Sequence, residues 1–398
     1  MENHSELPAP AGDARAHGRS IVALIRERII AAGGWIDFSE YMDLALYAPG
    51  IGYYSAGSRK FGAGGDFVTA PEISRLFGRC IARSVAGALS GFSPGVVLEV
   101  GAGTGAMAVE ILHVLEREAA LPERYLILEV SADLRERQQA TIRTRIPGLA
   151  ARVEWLDTLP EKKFDGVILA NEVLDALPVT RFTVGEQGLL ADGVVVAGDA
   201  FSWSPRPAPD ALREMVRRIE ASLSDGLSAP YTSEVCPSLP AFVTGLADTL
   251  NRGLILFVDY GLPRREYYHP DRSSGTLRCH YRHRAHADPF FYPGLQDITA
   301  WVDFTAVGEA AAVAGLEVRG YTTQAHFLLA AGIDGEFETL RNEADAAGKM
   351  RPYLELTRQI KTLIMPGEMG ERFKVMGLGR GLDVMPVGFS GRDLRHLL

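Results

Sequence analysis

Cysteine is scarce in this chain of 398 residues. Cys80, Cys236 and Cys279 stand far apart, with no CxxC pair. An odd, scattered set excludes a disulfide framework and a cysteine-ligated zinc site, and it fits a reducing compartment. Long apolar runs are missing too. None approaches the ~18 residues that cross a bilayer, so no membrane insertion is expected. The first twenty residues carry Glu2, Glu6 and Asp13 and no apolar stretch. They resemble neither a signal peptide nor an acid-poor transit peptide. The sequence as it stands is expected to be cytoplasmic in a bacterium, or of the mitochondrial matrix if a transit peptide has been removed. Positive charge is in deficit: 41 Lys and Arg against 50 Asp and Glu give a formal net charge of −9. Such a chain lacks a general attraction for phosphate backbones, so no nucleic-acid partner is expected. The local exception is Arg278, His280, Arg282, His283, Arg284 and His286, either a solvated, salt-bridged loop or a basic patch. The nine histidines show no HExxH-type spacing, so no metal is expected.

What remains is ordinary for a soluble globular protein. Hydrophobic residues make up 47% and charged residues 23%, enough for a sizeable core without covalent staples. Residues 1–18 read as a loose, flexible tail. Residues 19–90 read as a helical and Gly-rich lid region. It holds an apolar face at Ile21, Leu24, Ile25 and Ile29 stopped by Gly33-Gly34, a helix capped by Ser39, a Gly- and Tyr-rich loop over 48–69, and a helix entered at Pro71 that runs through Phe77 and Ile81. From 91 to 398, short apolar runs alternate with helical patterns. Strands are expected at 96–100, 125–129, 152–155, 164–170 and 254–259. This alternation predicts an α/β, Rossmann-like sheet with helices on both faces. Two insertions interrupt it. One, at about 181–250, opens with an antiparallel meander and a linker at Pro205, Pro207 and Pro209. The other, at about 261–304, is long and irregular. Helices at 305–314, 326–332 and 336–363 and strands at 316–321 and 373–378 complete the chain.

The segment Leu98 to Gly105 reads as strand, glycine turn, helix. Gly101, Gly103 and Gly105 permit positive φ and close approach of backbone to a ligand. The helix that follows offers free N–H groups to a carboxylate or a phosphate. Gly101 to Ala106 also satisfies the dinucleotide pattern GxGxxG/A, and both ligand classes want an acidic residue at the end of the next strand, which Glu129 supplies. The loop alone therefore leaves NAD and S-adenosylmethionine open. Glu99 tips the balance, because ExGxGxG suits the amino group of the methionine moiety. The polar cluster after the fourth strand, Asn171, Glu172 and Asp175, lies where a methyl acceptor would meet its donor.

A family resemblance rests on Tyr41-Met42, Gly52-Tyr53-Tyr54 and Gly65-Asp66-Phe67-Val68-Thr69-Ala70-Pro71-Glu72-Ile73-Ser74. It continues through the glycine loop, Asn171-Glu172 with Asp175-Ala176-Leu177-Pro178, Ser233-Glu234-Val235-Cys236-Pro237, Val258-Asp259-Tyr260-Gly261, Gly275-Thr276-Leu277-Arg278 and Met369 to Val375. These motifs cover most of residues 40–380 and resemble the MidA-like S-adenosylmethionine-dependent methyltransferases. That is the family of the mitochondrial complex I assembly factor that methylates a protein arginine. The stretch 278–283 is one residue longer than the family pattern. The resemblance implies S-adenosylmethionine as cofactor and a protein substrate, with arginine as acceptor and a subunit of respiratory NADH dehydrogenase as candidate. The oligomeric state is left open, a homodimer included. Alternatives are a different protein or small-molecule acceptor, an NAD-type oxidoreductase, or a non-catalytic assembly factor.

Arginine methylation needs carboxylates to orient a guanidinium. Glu172 and Asp175 are expected in that role, or else as helix-capping groups, with Asn171 touching the acceptor nitrogen and Glu234 as a further candidate. For the cofactor, the expected residues are Glu99, Gly101, Gly103, Gly105 and Glu129. Asp66 and Thr69 join them from a lid over the site, and Trp155 flanks the adenine.

Overall fold

The fold is described from a computed structural model covering residues 7–10, 12–55, 69–92, 94–346, 351–383 and 385–398. The chain forms two compact units. The first comprises Met1–Phe67, Asp175–Leu239 and Leu262–Asp303; the second comprises Val68–Leu174, Pro240–Gly261 and Phe304–Leu398. Among the described residues, no helix is long and apolar enough to cross a membrane.

The second unit is built on seven strands: β1 (Val96–Val100), β2 (Arg124–Leu128), β3 (Val153–Leu156), β4 (Phe164–Asn171), β5 (Leu250–Leu262), β6 (Glu317–Thr323) and β7 (Phe373–Arg380). Their order across the sheet is β3-β2-β1-β4-β5-β7-β6. β1 to β5 pair in parallel, and β7 runs antiparallel to both neighbours. Strands covered on both faces read as unbroken apolar runs. Val97, Leu98, Ile127, Val167 and Ile168 are all fully buried, each worth about 1.5–3 kcal/mol over an exposed position. The connection reverses direction between β1 and β4. The crevice outside their carboxyl ends is thus the topological switch point, where open α/β sheets bind ligands.

One expected helix is divided. The helix entered at Pro71 is Ala70–Ile73 followed by Arg75–Leu89. Ser74, extended at φ −153°, breaks it, and its hydroxyl accepts from the Leu76 N–H (3.2 Å) to cap the second piece. Of the stretch 336–363, the described residues lie in helices Ile333–Ala346 and Arg351–Ile364. Fully buried Arg79 on Arg75–Leu89 donates to Glu110 (3.2 Å) on helix Ala106–Arg117 and to Glu343 (3.1 Å). Paired this way, the buried charge avoids a penalty of several kcal/mol, and it fixes the helix that follows the glycine loop.

In the first unit, a helix spans Gly12–Ala31 with Ile21, Ile25 and Ile29 buried. The loose tail expected over 1–18 is therefore corrected for residues 12–18, which lie in this helix, its apolar face repaying the ordering of their polar side chains. Helix Phe38–Tyr47 is capped by Asp37, whose carboxylate accepts from the Ser39 N–H (2.8 Å), and not by Ser39 as expected. The meander is present as Thr180–Gly185, Gly188–Ala197 and Ala200–Pro207, in one sheet with Ile36–Asp37 and Tyr231–Val235. Pro205 and Pro207 lie in its last strand rather than in a linker. That strand is an edge, where a missing N–H is tolerated. The second insertion contains a small sheet of Arg278–Tyr281, Arg284–His286 and Asp297–Thr299.

Candidate functional site

Glu99 and Val100 end β1, and the chain then turns through Gly101, Gly103 and Gly105 at φ +68°, +54° and +82°. Three left-handed positions in five residues demand glycine. The Gly101 N–H donates to the Leu128 carbonyl (3.0 Å) and the Gly105 N–H to that of Ala102 (2.8 Å), which closes the loop against the start of helix Ala106–Arg117. The first N–H groups of that helix lack intrahelical partners and attract an anion. A Cβ on Gly103 would meet nothing within 4 Å, so the space beside the loop is open to a ligand.

Glu99 is 1% exposed. Its Oε2 accepts from the Tyr125 hydroxyl (2.7 Å), while Oε1 is buried without a hydrogen-bond partner among the described residues. Burial pushes its pKa up to about 7 against the Tyr125 bond, and the nearby Glu129 charge adds to the rise. A buried carboxylate oxygen left unfilled is costly, and a bound ammonium would satisfy it. At the end of β2, Glu129 accepts from the Ser131 N–H (2.9 Å) through Oε1 and from the Gln138 amide (2.9 Å) through Oε2. A carboxylate at this strand end is an acceptor of the kind that ribose hydroxyls donate to. The Trp155 indole N–H donates to Gln138 Oε1 (2.9 Å). Val130 stands 68% exposed beside Glu129, an apolar surface for a flat ring.

This set fits S-adenosylmethionine. Glu99 Oε1 would hold the ammonium, the helix start the carboxylate, Glu129 the ribose, and Val130 with Trp155 the adenine. The fit predicts a pH profile. An ammonium needs ionised Glu99, so affinity for S-adenosylhomocysteine should climb as pH rises to about 7. It should fall again only at higher pH, as the ligand's own amino group, held protonated by its neighbouring carboxylate, loses its proton. Calorimetric titration from pH 6 to 9 reads this directly, and a flat acidic limb would remove Glu99 from the ammonium site.

At the end of β4 the chain reverses sharply. Glu172 is left-handed (φ +53°), and its N–H donates to the Val258 carbonyl (2.8 Å). Its Oε1 accepts from the Asn171 amide (3.3 Å) and from the Ala70 N–H (3.4 Å), next to Thr69, the residue preceding helix Ala70–Ile73. No helix follows Glu172, so it caps none of its own; its contact with the Ala70 N–H is to the first residue of helix Ala70–Ile73. The Val173 and Leu174 N–H groups both donate to Asp259 Oδ2 (3.1 and 2.9 Å). Asp259 therefore extends the β4–β5 ladder one step beyond its last backbone pair and fixes the reversal. Within the second unit the structure thus brings Thr69, Asn171 and Glu172 together, and likewise Glu99, the three glycines, Glu129 and Trp155.

Asp175 and Glu234 belong to the first unit. Buried Asp175 accepts from the Ala300 N–H through its backbone carbonyl (3.0 Å). Its charge and that of Asp297 add to burial in raising the Tyr47 phenol pKa. Glu234 lies in strand Tyr231–Val235, which the sequence reading missed. Its Oε2 accepts from the Thr276 N–H (2.9 Å) and hydroxyl (3.1 Å), while Oε1 has no hydrogen-bond partner among the described residues. Burial raises its pKa. Asp66 lies outside the described residues. Gln138, Tyr125 and Val130 were not among the residues expected to build the site; Asp259 was expected on the ligand edge as a lining residue of the acceptor pocket, and it instead holds the reversal after β4.

Residues 80–322 match the family model of an S-adenosyl-L-methionine-dependent methyltransferase. The chain is 31% identical over 391 residues to the Danio rerio protein arginine methyltransferase NDUFAF7, mitochondrial, covering 89% of this chain and 86% of that one. It is 29% identical to the Mus musculus protein of the same name, covering 92% and 87%. Among solved structures, a Burkholderia thailandensis protein crystallised with S-adenosyl-homocysteine is 45% identical, with a TM-score of 0.92 over 99% of this chain and 100% of that one. A native crystal structure from the same organism is 44% identical, with a TM-score of 0.89 over the same shares. A match of this extent, in a fold whose glycine loop and buried carboxylates suit the methyl donor, makes the chain a member of the MidA-like family of S-adenosylmethionine-dependent methyltransferases.

Proposed function

We propose that this methyltransferase acts on an arginine side chain of a protein, with a subunit of a respiratory NADH dehydrogenase as candidate acceptor. The observation that carries the reading is the Asn171–Glu172 pair at the switch point, where a carboxylate is held at a strained backbone position beside an amide. The names of the curated relatives support it. S-adenosylmethionine supplies an electrophilic methyl group when bound. Glu172 pairs with the guanidinium by charge-assisted hydrogen bonds and orients one nitrogen toward that group. The Asn171 amide steadies the same nitrogen. The new N–C bond forms as the S–C bond breaks, and the nitrogen loses its proton late, to solvent, so no strong base is required. Much of the rate comes from holding the two reactants in line. Thr69, next to the Ala70 N–H that Glu172 accepts from, is a further candidate on the cofactor side.

The test is mass spectrometry of protein methylation in cells with and without this gene. Arginine methylation on at least one protein should vanish in the deletion and return on complementation. Unchanged arginine methylation with loss at another residue type, or on a small molecule, would move the reading to a different acceptor.

A further inference from the structure

The side chain of Gln138 lies on helix Ala132–Arg145 and is fully buried. It bonds to three separate segments at once. Nε2 donates to the Gly103 carbonyl of the glycine loop (3.0 Å) and to Glu129 Oε2 at the end of β2 (2.9 Å). Oε1 accepts from the Trp155 indole in β3 (2.9 Å). The orientation of the amide is dictated by chemistry, since a carbonyl and a carboxylate only accept and an indole N–H only donates. Each hydrogen-bonding end of the amide is used. An arginine or lysine there would also hold the carboxylate, but it would neutralise the charge that ribose hydroxyls bond to. One turn back on the same helix, Arg135 donates to the Glu129 carbonyl (2.9 Å) and the Leu156 carbonyl (3.2 Å), pinning the ends of β2 and β3. The helix itself packs on the loop: a Cβ on Gly105 would sit 3.3 Å from Gln138 Cα.

We infer that Gln138 is a positioning residue for the cofactor, aligning the Glu129 carboxylate and the Trp155 ring for the adenosine half through one amide. It does not touch the reacting atoms. The inference rests on Glu129 as the ribose ligand, and the experiment separates the two claims.

The experiment is calorimetric binding of two probes, S-adenosylhomocysteine and 5′-methylthioadenosine, which share the adenosine but not the amino-acid part. Gln138→Leu should weaken both by the same factor, about 10- to 100-fold, as expected for losing a hydrogen bond to a charged group. A general loosening of the glycine loop would instead weaken S-adenosylhomocysteine far more than methylthioadenosine. Unchanged affinities, or a loss confined to S-adenosylhomocysteine, would overturn the positioning role. Glu129→Ala should weaken both probes as well; if it leaves them unchanged, the ribose assignment fails and the inference with it. Gln138→Glu keeps the shape should the leucine variant not fold. It puts a second carboxylate against Glu129, with Arg135, Asp157 and Glu99 the other charges around the pair. Its affinity relative to the native protein should recover as pH falls, because a proton shared between the two acids restores a donor toward Glu129. A ratio that does not change with pH would count against the alignment by hydrogen bonding.

Discussion

Replacing Glu172 with Ala is expected to cut methyl transfer roughly 100- to 1,000-fold, the range seen when a preorganised polar group is removed from a reacting centre, while S-adenosylhomocysteine binding stays within about threefold. The backbone gives the reason for so large an effect. A glutamate at φ +53° costs on the order of 1–3 kcal/mol. Such strain persists only where surrounding contacts over-determine it. Here those contacts are the Val258 carbonyl, which takes the Glu172 N–H, and Asp259, which takes the two N–H groups that follow. None of the Glu172 bonds to Ala70 or Asn171 is short enough to make it a major support of the fold. Glu172→Gly separates backbone from carboxylate. It relieves the left-handed strain, so it should melt at or above the temperature of Glu172→Ala, yet be as inactive. Transfer rates use radiolabelled S-adenosylmethionine and protein extract from deletion cells; binding is measured by calorimetry. Full activity in Glu172→Gly would assign the position to turn geometry alone.

Glu99→Gln should weaken S-adenosylhomocysteine about 100-fold, because a desolvated ammonium loses a buried counter-charge, worth about 3 kcal/mol. Methylthioadenosine, which lacks the amino group, should bind almost as before. The same substitution should make the ligand-free protein more stable above pH 7. The sign follows from Glu99's folded pKa of about 7 against 4.5 for the free side chain. As pH rises from 4.5, the unfolded chain ionises first, so the native carboxyl loses stability until about pH 7 and carries the full deficit above it. That deficit is on the order of 3 kcal/mol. The amide has no such term and still accepts from Tyr125. Melting curves at pH 4.5 and pH 8 check it: the stabilisation should be present at pH 8 and absent at pH 4.5. A glutamine variant that is no more stable at pH 8 would mean that the buried carboxyl is not strained in the ligand-free protein.

Gln138 and Glu172 mark two different kinds of residue that sequence reading handles unequally. Glu172 was legible as a candidate because it stands beside Asn171 at the end of an apolar run, where strand and loop meet. Its left-handed backbone was not legible, since nothing local asks for it and its cause, Asp259, lies 87 positions on. Gln138 had no local signal at all. It sits in a polar helix, and its three partners at 103, 129 and 155 converge only when β1, β2 and β3 are side by side. The break at Ser74 and the Asp37 cap were also misread, because neighbouring residues compete for a cap and tertiary packing picks the winner.

What the sequence by itself determined is the strand–glycine loop–helix unit and the acid that ends the next strand. Their conformations follow from short-range sterics: Gly101, Gly103 and Gly105 turn left-handed because only glycine does so cheaply, and Val96–Val100 is a strand whose four apolar residues, with Glu99 between them, are buried on both faces. What only the tertiary structure decided is which polar atoms are filled and which are left open. Among the described residues, Glu99 Oε1 has no hydrogen-bond partner while the Gln138 amide is bonded at both ends, although both are buried polar side chains. That difference depends on partners brought together over tens of residues in an interior without water, where each donor and acceptor must be accounted for.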